Sequence, residues 1–133
     1  MEKLFILLLQ LVVLFVFVAG ELTADQRKQF IVFQNECMQE TGATDDMIMK
    51  ALAGVFSDSP VFKNHLVCMG LKTGIIDSDG NFHKNILKKG IMLIVNNEAK
   101  VDAMLDKCHV RFETQQESAF HLMKCLYEEH FGA

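Results

Sequence analysis

The chain has no tryptophan, one tyrosine and one proline among its 133 residues. With so little proline and few β-branched alternations, apolar residues recur at helical intervals almost throughout, which argues for an all-α domain. Charge of neither sign forms a block. Thirteen Lys and Arg stand against seventeen Asp and Glu, for a net charge of -4, so nucleic acid is not an expected partner and the mild acidity suits a soluble extracellular protein. Nucleophile, phosphate-loop and metalloprotease motifs are all missing, so no catalytic residue, cofactor or metal is expected. Repeats and low-complexity tracts are missing as well.

What is present begins with an apolar run from Leu4 to Val18, preceded by Glu2 and Lys3 and interrupted only by Gln10. It ends in Val18-Ala19-Gly20, small residues that a signal peptidase accepts, before the polar stretch Glu21 to Lys28. Residues 1–20 are read as a signal peptide and 21–133 as one helical domain. The alternative, a membrane anchor, needs about 20 apolar residues and flanking positive charge, which Lys3 alone supplies poorly. No stable membrane association is expected. Export would place Cys37, Cys68, Cys108 and Cys125 in an oxidising compartment, where an even count implies two disulfides. On arithmetic alone three pairings are open.

Six short helices follow from capping residues and glycines. Thr23 with Gln26 forms a capping box opening a helix whose face carries Gln26, Phe30, Phe33 and Cys37, ended by Gly42. Thr44-Asp45-Asp46 opens the second, with Met47, Ile48, Ala51 and Leu52 as its stripe. Ser59-Pro60 opens the third, which carries Phe62, Leu66, Cys68 and Met69 until Gly74. After a turn at Asp77 to Asn81, Phe82 to Val95 is read as helical, its run Ile91 to Val95 surrounded by protein or by protein and ligand. Asn96 or Asn97 caps a fifth helix through Val101, Met104, Leu105 and Cys108. Thr114 with Glu117 forms a second capping box, opening a sixth through Phe120, Met123, Tyr127 and Phe131. The residues from His130 onward are read as a tail too short for another helix.

Asp77-x-Asp79-Gly80 has the start of a calcium loop but no closing glutamate, since Lys88 and Lys89 stand near that position, and is read as a turn. His65 with Cys68, and His121 with Cys125, are spaced to share a helix face and would suit zinc only if the thiols stayed reduced. His83, His109 and His130 are read as solvated surface groups. The informative excess is soft and apolar: eight methionines and eleven phenylalanines, side chains that suit a pocket for varied apolar guests as well as an ordinary core.

Two stretches carry a family resemblance. Cys68-Met69-Gly70-Leu71-Lys72-Thr73-Gly74-Ile75-Ile76-Asp77, followed by Gly80-Asn81-Phe82, resembles the centre of an insect odorant-binding protein. Glu117-Ser118-Ala119-Phe120-His121-Leu122-Met123-Lys124-Cys125-Leu126-Tyr127-Glu128 is similar to that family's last helix. Six cysteines are usual there; the second and fifth positions here hold Asn64 and Gln116, so both partners of one bridge are missing together. The chain thus resembles the four-cysteine, or Minus-C, subclass.

The resemblance implies the pairings Cys37–Cys68 and Cys108–Cys125, and a compact six-helix bundle around an apolar cavity. It implies a secreted carrier, in sensillum lymph or another body fluid, that takes up odorants, pheromones or similar small hydrophobic molecules. Expected wall residues are Phe30, Phe33, Met47, Leu52, Leu66, Met69, Ile86, Ile91, Met92, Met104, Phe120 and Met123, with Tyr127 as a polar contact. A chemosensory receptor is the further partner, and the chain is expected to be a monomer or weak homodimer. The junction that the missing bridge would have tied, third helix to sixth, should open more easily than in six-cysteine relatives. The rival reading is a secreted helical signalling protein acting through its surface.

Overall fold

The computed structural model describes residues 24–93 and 95–132. The signal peptide expected at 1–20 and the Thr23 cap lie outside the described residues. Six helices run in order: α1 (Ala24–Thr41), α2 (Asp45–Leu52), α3 (Pro60–Thr73), α4 (Lys84–Met92), α5 (Glu98–Cys108) and α6 (Gln115–Phe131). Among the described residues, the only extended pairing is an isolated antiparallel bridge between Ile76 and Phe82.

Local chemistry sets most boundaries. The hydroxyls of Thr44, Ser59 and Thr114 and the side chain of Asn97 each accept from a backbone N–H in the first turn of the helix that follows, satisfying a donor that has no intrahelical partner. Asn97, rather than Asn96, is therefore the α5 cap. Pro60 sits in the first turn of α3, where a missing N–H is harmless.

Three expectations are corrected. The helical stretch read as Phe82 to Val95 is helical only over Lys84–Met92, because Phe82 pairs with Ile76 and the backbone N–H of His83 donates to the Ile75 carbonyl at 2.7 Å. Within the Ile91–Val95 run, expected to be surrounded, Ile91, Met92 and Leu93 are only half-buried while Val95 is buried, and the helix ends at Met92. His130, read as the start of a tail, belongs to α6, which ends at Phe131 as its stripe indicated.

Packing between helices concentrates in four pairs: α1 with α3, α3 with α6, α4 with α5, and α5 with α6. Disulfide Cys37–Cys68 crosses the first and Cys108–Cys125 the last. Lysines also cross each pair. Lys72 reaches Glu36 at 2.8 Å on α1, Lys84 reaches Asp106 at 2.8 Å and Lys88 reaches Asp102 at 2.8 Å on α5, and Lys107 pairs with Glu129 on α6. Gly70 makes room for the chain to leave α3: a Cβ there would stand 2.7 Å from Ile76 Cδ1, and the Ile76 N–H donates to the Gly70 carbonyl at 2.9 Å.

Candidate functional site

The apolar interior is best developed around α5. Leu87, Val101, Met104, Leu105, Leu122 and Leu126 are buried together with Val95 and Cys108. Ile75, Phe82, Ile91 and Met92 pack against this cluster without being fully covered. Partly covered apolar side chains backed by core are the composition from which a site for an apolar ligand is built.

A second apolar group is aromatic. Phe56 lies 6.4 Å from the buried Phe62 and 5.6 Å edge-on from Tyr127, whose ring is 4.5 Å from Phe131. The Tyr127 ring covers Gly54, where a Cβ would meet it at 2.5 Å; with φ at +87°, that glycine is required both for space and for backbone conformation. The Tyr127 hydroxyl makes no hydrogen bond among the described residues. Phe56 escapes a reading by helical stripes because it lies in the α2–α3 connection, and its contact with Tyr127 spans more than seventy positions in sequence.

The expected wall residues separate into three groups. Met104 and Phe120 are buried, 5% and 7% exposed. Phe33, Met47, Leu66, Met69, Ile91, Met92 and Tyr127 are half-buried. Phe30, Leu52, Ile86 and Met123 are exposed. The structure brings Ile91, Met92 and Met104 into the α5-centred core and Tyr127 into the aromatic group; Phe120 lies against Lys63, 4.9 Å from its Nζ to the ring centroid.

An open groove of about 260 Å3 runs along α3, lined by Asn64, Val67, Cys68, Leu71 and Lys72, with Glu40 of α1 at one side and Gln116, in the first turn of α6, at the other. None of the expected wall residues lines it. Asn64 and Gln116, the two positions that the resemblance marks for the missing bridge, both line this groove.

The adjoining positions carry charge. Lys63 Nζ lies 2.8 Å from Asp58 Oδ1 and 2.6 Å from Glu117 Oε1, with its side chain only 13% exposed. Hydrogen bonds to Asp58 and then Glu117 raise the Lys63 pKa, and the bond from Lys63 holds the Asp58 carboxyl below its ordinary value. Glu117 also approaches His121 Nε2 at 3.4 Å, and that ring stacks on Phe112 at 4.2 Å. The Thr114–Glu117 capping box is thus half made: Thr114 accepts from the Glu117 N–H at 3.1 Å, while the Glu117 carboxylate is taken by Lys63 and His121.

Of the histidines read as solvated, His109 is exposed and His83 partly so, while His130 meets burial, as does the α3 histidine His65. His65 is 3% exposed, with Nε2 3.2 Å from Gln34 Oε1 and Nδ1 without a hydrogen-bond partner. Burial lowers its pKa, opposed in part by the Cys37 backbone. His83, read as solvated, lies 3.0 Å from Asp77 Oδ2; this contact and, before it, the Asn81 backbone N–H lower the Asp77 pKa. His109 stacks on Phe82 at 4.4 Å. The Nδ1 of His130 is buried without a partner, and burial, then Lys100, lowers its pKa. Cys37, Glu40 and Cys68 group closely enough to suggest metal ligands, but the two sulfurs are bonded to each other and only the carboxylate is left.

Comparison with known proteins places these features. The model of the PBP/GOBP family matches residues 19–129. The B1 protein of Tenebrio molitor is 27% identical over 94 residues, covering 71% of this chain and 72% of that one. The B2 protein of the same beetle is 28% identical over 94 residues, covering 71% and 73%. Among solved structures, the fatty acid binding protein OBP56a from the oral disk of the blowfly Phormia regina superposes with a TM-score of 0.64 at 22% identity, over 85% of this chain and 98% of that one.

Proposed function

The chain belongs to the PBP/GOBP family, its two disulfides fitting the four-cysteine subclass, and from this premise we propose that it is an extracellular carrier of small hydrophobic molecules. In this reading residues 1–20 direct export and are removed. Among the described residues no helix is long and apolar enough to cross a membrane, which accords with a carrier free in fluid.

The observation that carries the reading is a set of apolar side chains, Ile75, Phe82, Ile91 and Met92, that pack against a buried cluster yet are incompletely covered themselves. Side chains of this kind gain by covering with an apolar guest, at about 25 cal/mol for each Å2 removed from water. The other expected wall residues, Phe33, Met47, Leu66 and Met69 among them, extend this set in the proposal, and the unbonded Tyr127 hydroxyl orients a guest bearing one polar group. The blowfly neighbour, described as a fatty acid binding protein, supports the choice of an alkyl chain with a polar end as the first probe. With carriage as its task the protein needs no catalytic group, and it acts as a carrier rather than an enzyme.

Displacement of an apolar fluorescent dye by medium-chain fatty acids and alcohols tests this. The expected result is one dye per chain, displaced competitively, with Met92→Asp weakening binding at least tenfold. Absence of dye uptake by the folded, oxidised protein would overturn the carrier and favour signalling through the surface.

A further inference from the structure

We propose that Lys63 and Glu117 form an electrostatic clasp that holds α3 against α6 in place of a third cross-link, and that release of this clasp opens the Asn64–Gln116 groove as the guest's way in and out. The clasp stands on geometry alone; the guest's route rests on the carrier reading.

Of the packed pairs involving α3 and α6, the other two, α1 with α3 and α5 with α6, each contain a disulfide. The seam between α3 and α6 contains none. It therefore joins two cross-linked halves by contacts that can separate without breaking a covalent bond. Lys63 and Glu117 are the immediate neighbours of Asn64 and Gln116, so the charges sit beside the positions left without sulfur. The 2.6 Å contact between them joins residues 54 positions apart, one on each helix. Lys63 is also fixed by Asp58 at 2.8 Å and lies over the buried Phe120 ring.

Three features set this lysine apart from those bridging the other helix pairs. It has the least exposed side chain of them, its two carboxylates come from different elements whereas those of Lys72 and of Lys88 each lie on one helix, and its ammonium faces an aromatic ring, so moving the helices apart would break several attractions together. Unlike a disulfide, these attractions re-form after each separation. Asn64 and Gln116 make no hydrogen bond among the described residues and so do not oppose the opening. Val67 and Leu71 on the groove supply apolar surface over which a hydrophobic molecule can pass.

Hydrogen exchange and dye-release kinetics on the intact oxidised protein test both halves. Lys63→Met keeps most of the stem and removes the charge. It is expected to raise exchange about tenfold across residues 59–66 and 115–122, as loss of a charge-assisted contact implies, while exchange in the α5 segment around Val101 to Leu105 stays as in the parent. Lys63→Arg should restore the parent pattern, and Glu117→Gln should match Lys63→Met with no further rise when the two are combined. Equal loosening of all helices by Lys63→Met, or failure of Lys63→Arg to restore the seam, would overturn the clasp.

Dye release should accelerate in Lys63→Met by the same factor as exchange. Seam opening without faster release would overturn the groove as the route and leave the clasp standing. If the folded protein took up no dye, the carrier reading and the route would fall, and exchange would still decide the clasp.

Discussion

The pairs α1/α3 and α5/α6 each carry one disulfide, yet they are stabilised differently. Around Cys108 the partner helices bury Val101, Met104, Leu105, Leu122 and Leu126, and the bridge is embedded in a core that already holds the helices together. Around Cys37 the burial is narrower. That cysteine is the only buried residue of α1, a half-turn of which leaves Phe30, Ile31 and Val32 exposed, and the facing helix contributes a histidine as well as Phe62 and Val67. Where a core is continuous, a cross-link adds to packing; where burial is confined to a few side chains, the cross-link is what keeps the helix in place.

Removing the bridges should make this contrast largest. Loop-closure entropy assigns about 4 kcal/mol to the 31-residue separation of Cys37 and Cys68 and about 3 kcal/mol to the 17-residue separation of Cys108 and Cys125. Cys37→Ser with Cys68→Ser should therefore cost more in urea unfolding than Cys108→Ser with Cys125→Ser, and exchange should show α1 unprotected in the first variant while α5 and α6 remain protected in the second. An equal loss of protection in both would break the comparison.

Packing substitutions come next. Leu105→Ala, at a fully buried position of the α5 core, should cost about 2–5 kcal/mol in unfolding free energy. Gly54→Ala should cost about 1–3 kcal/mol, through its left-handed backbone and the Tyr127 ring above it, measured in the same way.

Acid should then act on both pairs, through His65 in one and His130 in the other. Burial holds the His65 pKa below its ordinary value near 6.5, so the unfolded chain takes up a proton there before the folded one does. Stability from this group is present above the unfolded pKa and declines as pH falls from about 6.5 toward the lower folded pKa. His130 contributes with the same sign. His65→Gln, which does not titrate and can keep a bond to Gln34, should flatten part of the pH dependence of the melting temperature, and α1 is the helix whose exchange should respond. The smallest effect is expected at the exposed Phe30, where Phe30→Ser should change unfolding free energy by no more than about 0.5 kcal/mol.

Much of this architecture was legible residue by residue. Thr44, Ser59 and Thr114 mark helix starts because a hydroxyl satisfies a donor three positions away, and Gly74 ends α3 with a left-handed backbone that favours glycine. The candidate site was legible only in part. Helical stripes selected Met104 and Phe120, which are buried, together with Phe30 and Met123, which are exposed, because amphipathic spacing identifies an apolar face without indicating how much protein will cover it. Phe56 was missed because a connection between helices has no stripe to read.

Sequence by itself determined the all-helical character, most of the caps and an even complement of cysteines, since these depend on interactions within three or four residues or on composition. Tertiary structure decided that His65 lies in the interior, that Asn64 and Gln116 share one groove and that Glu117 turns from its own helix cap to Lys63. Those outcomes depend on which surfaces meet after the chain has folded back over many tens of residues, and helix periodicity carries no record of so distant a partner.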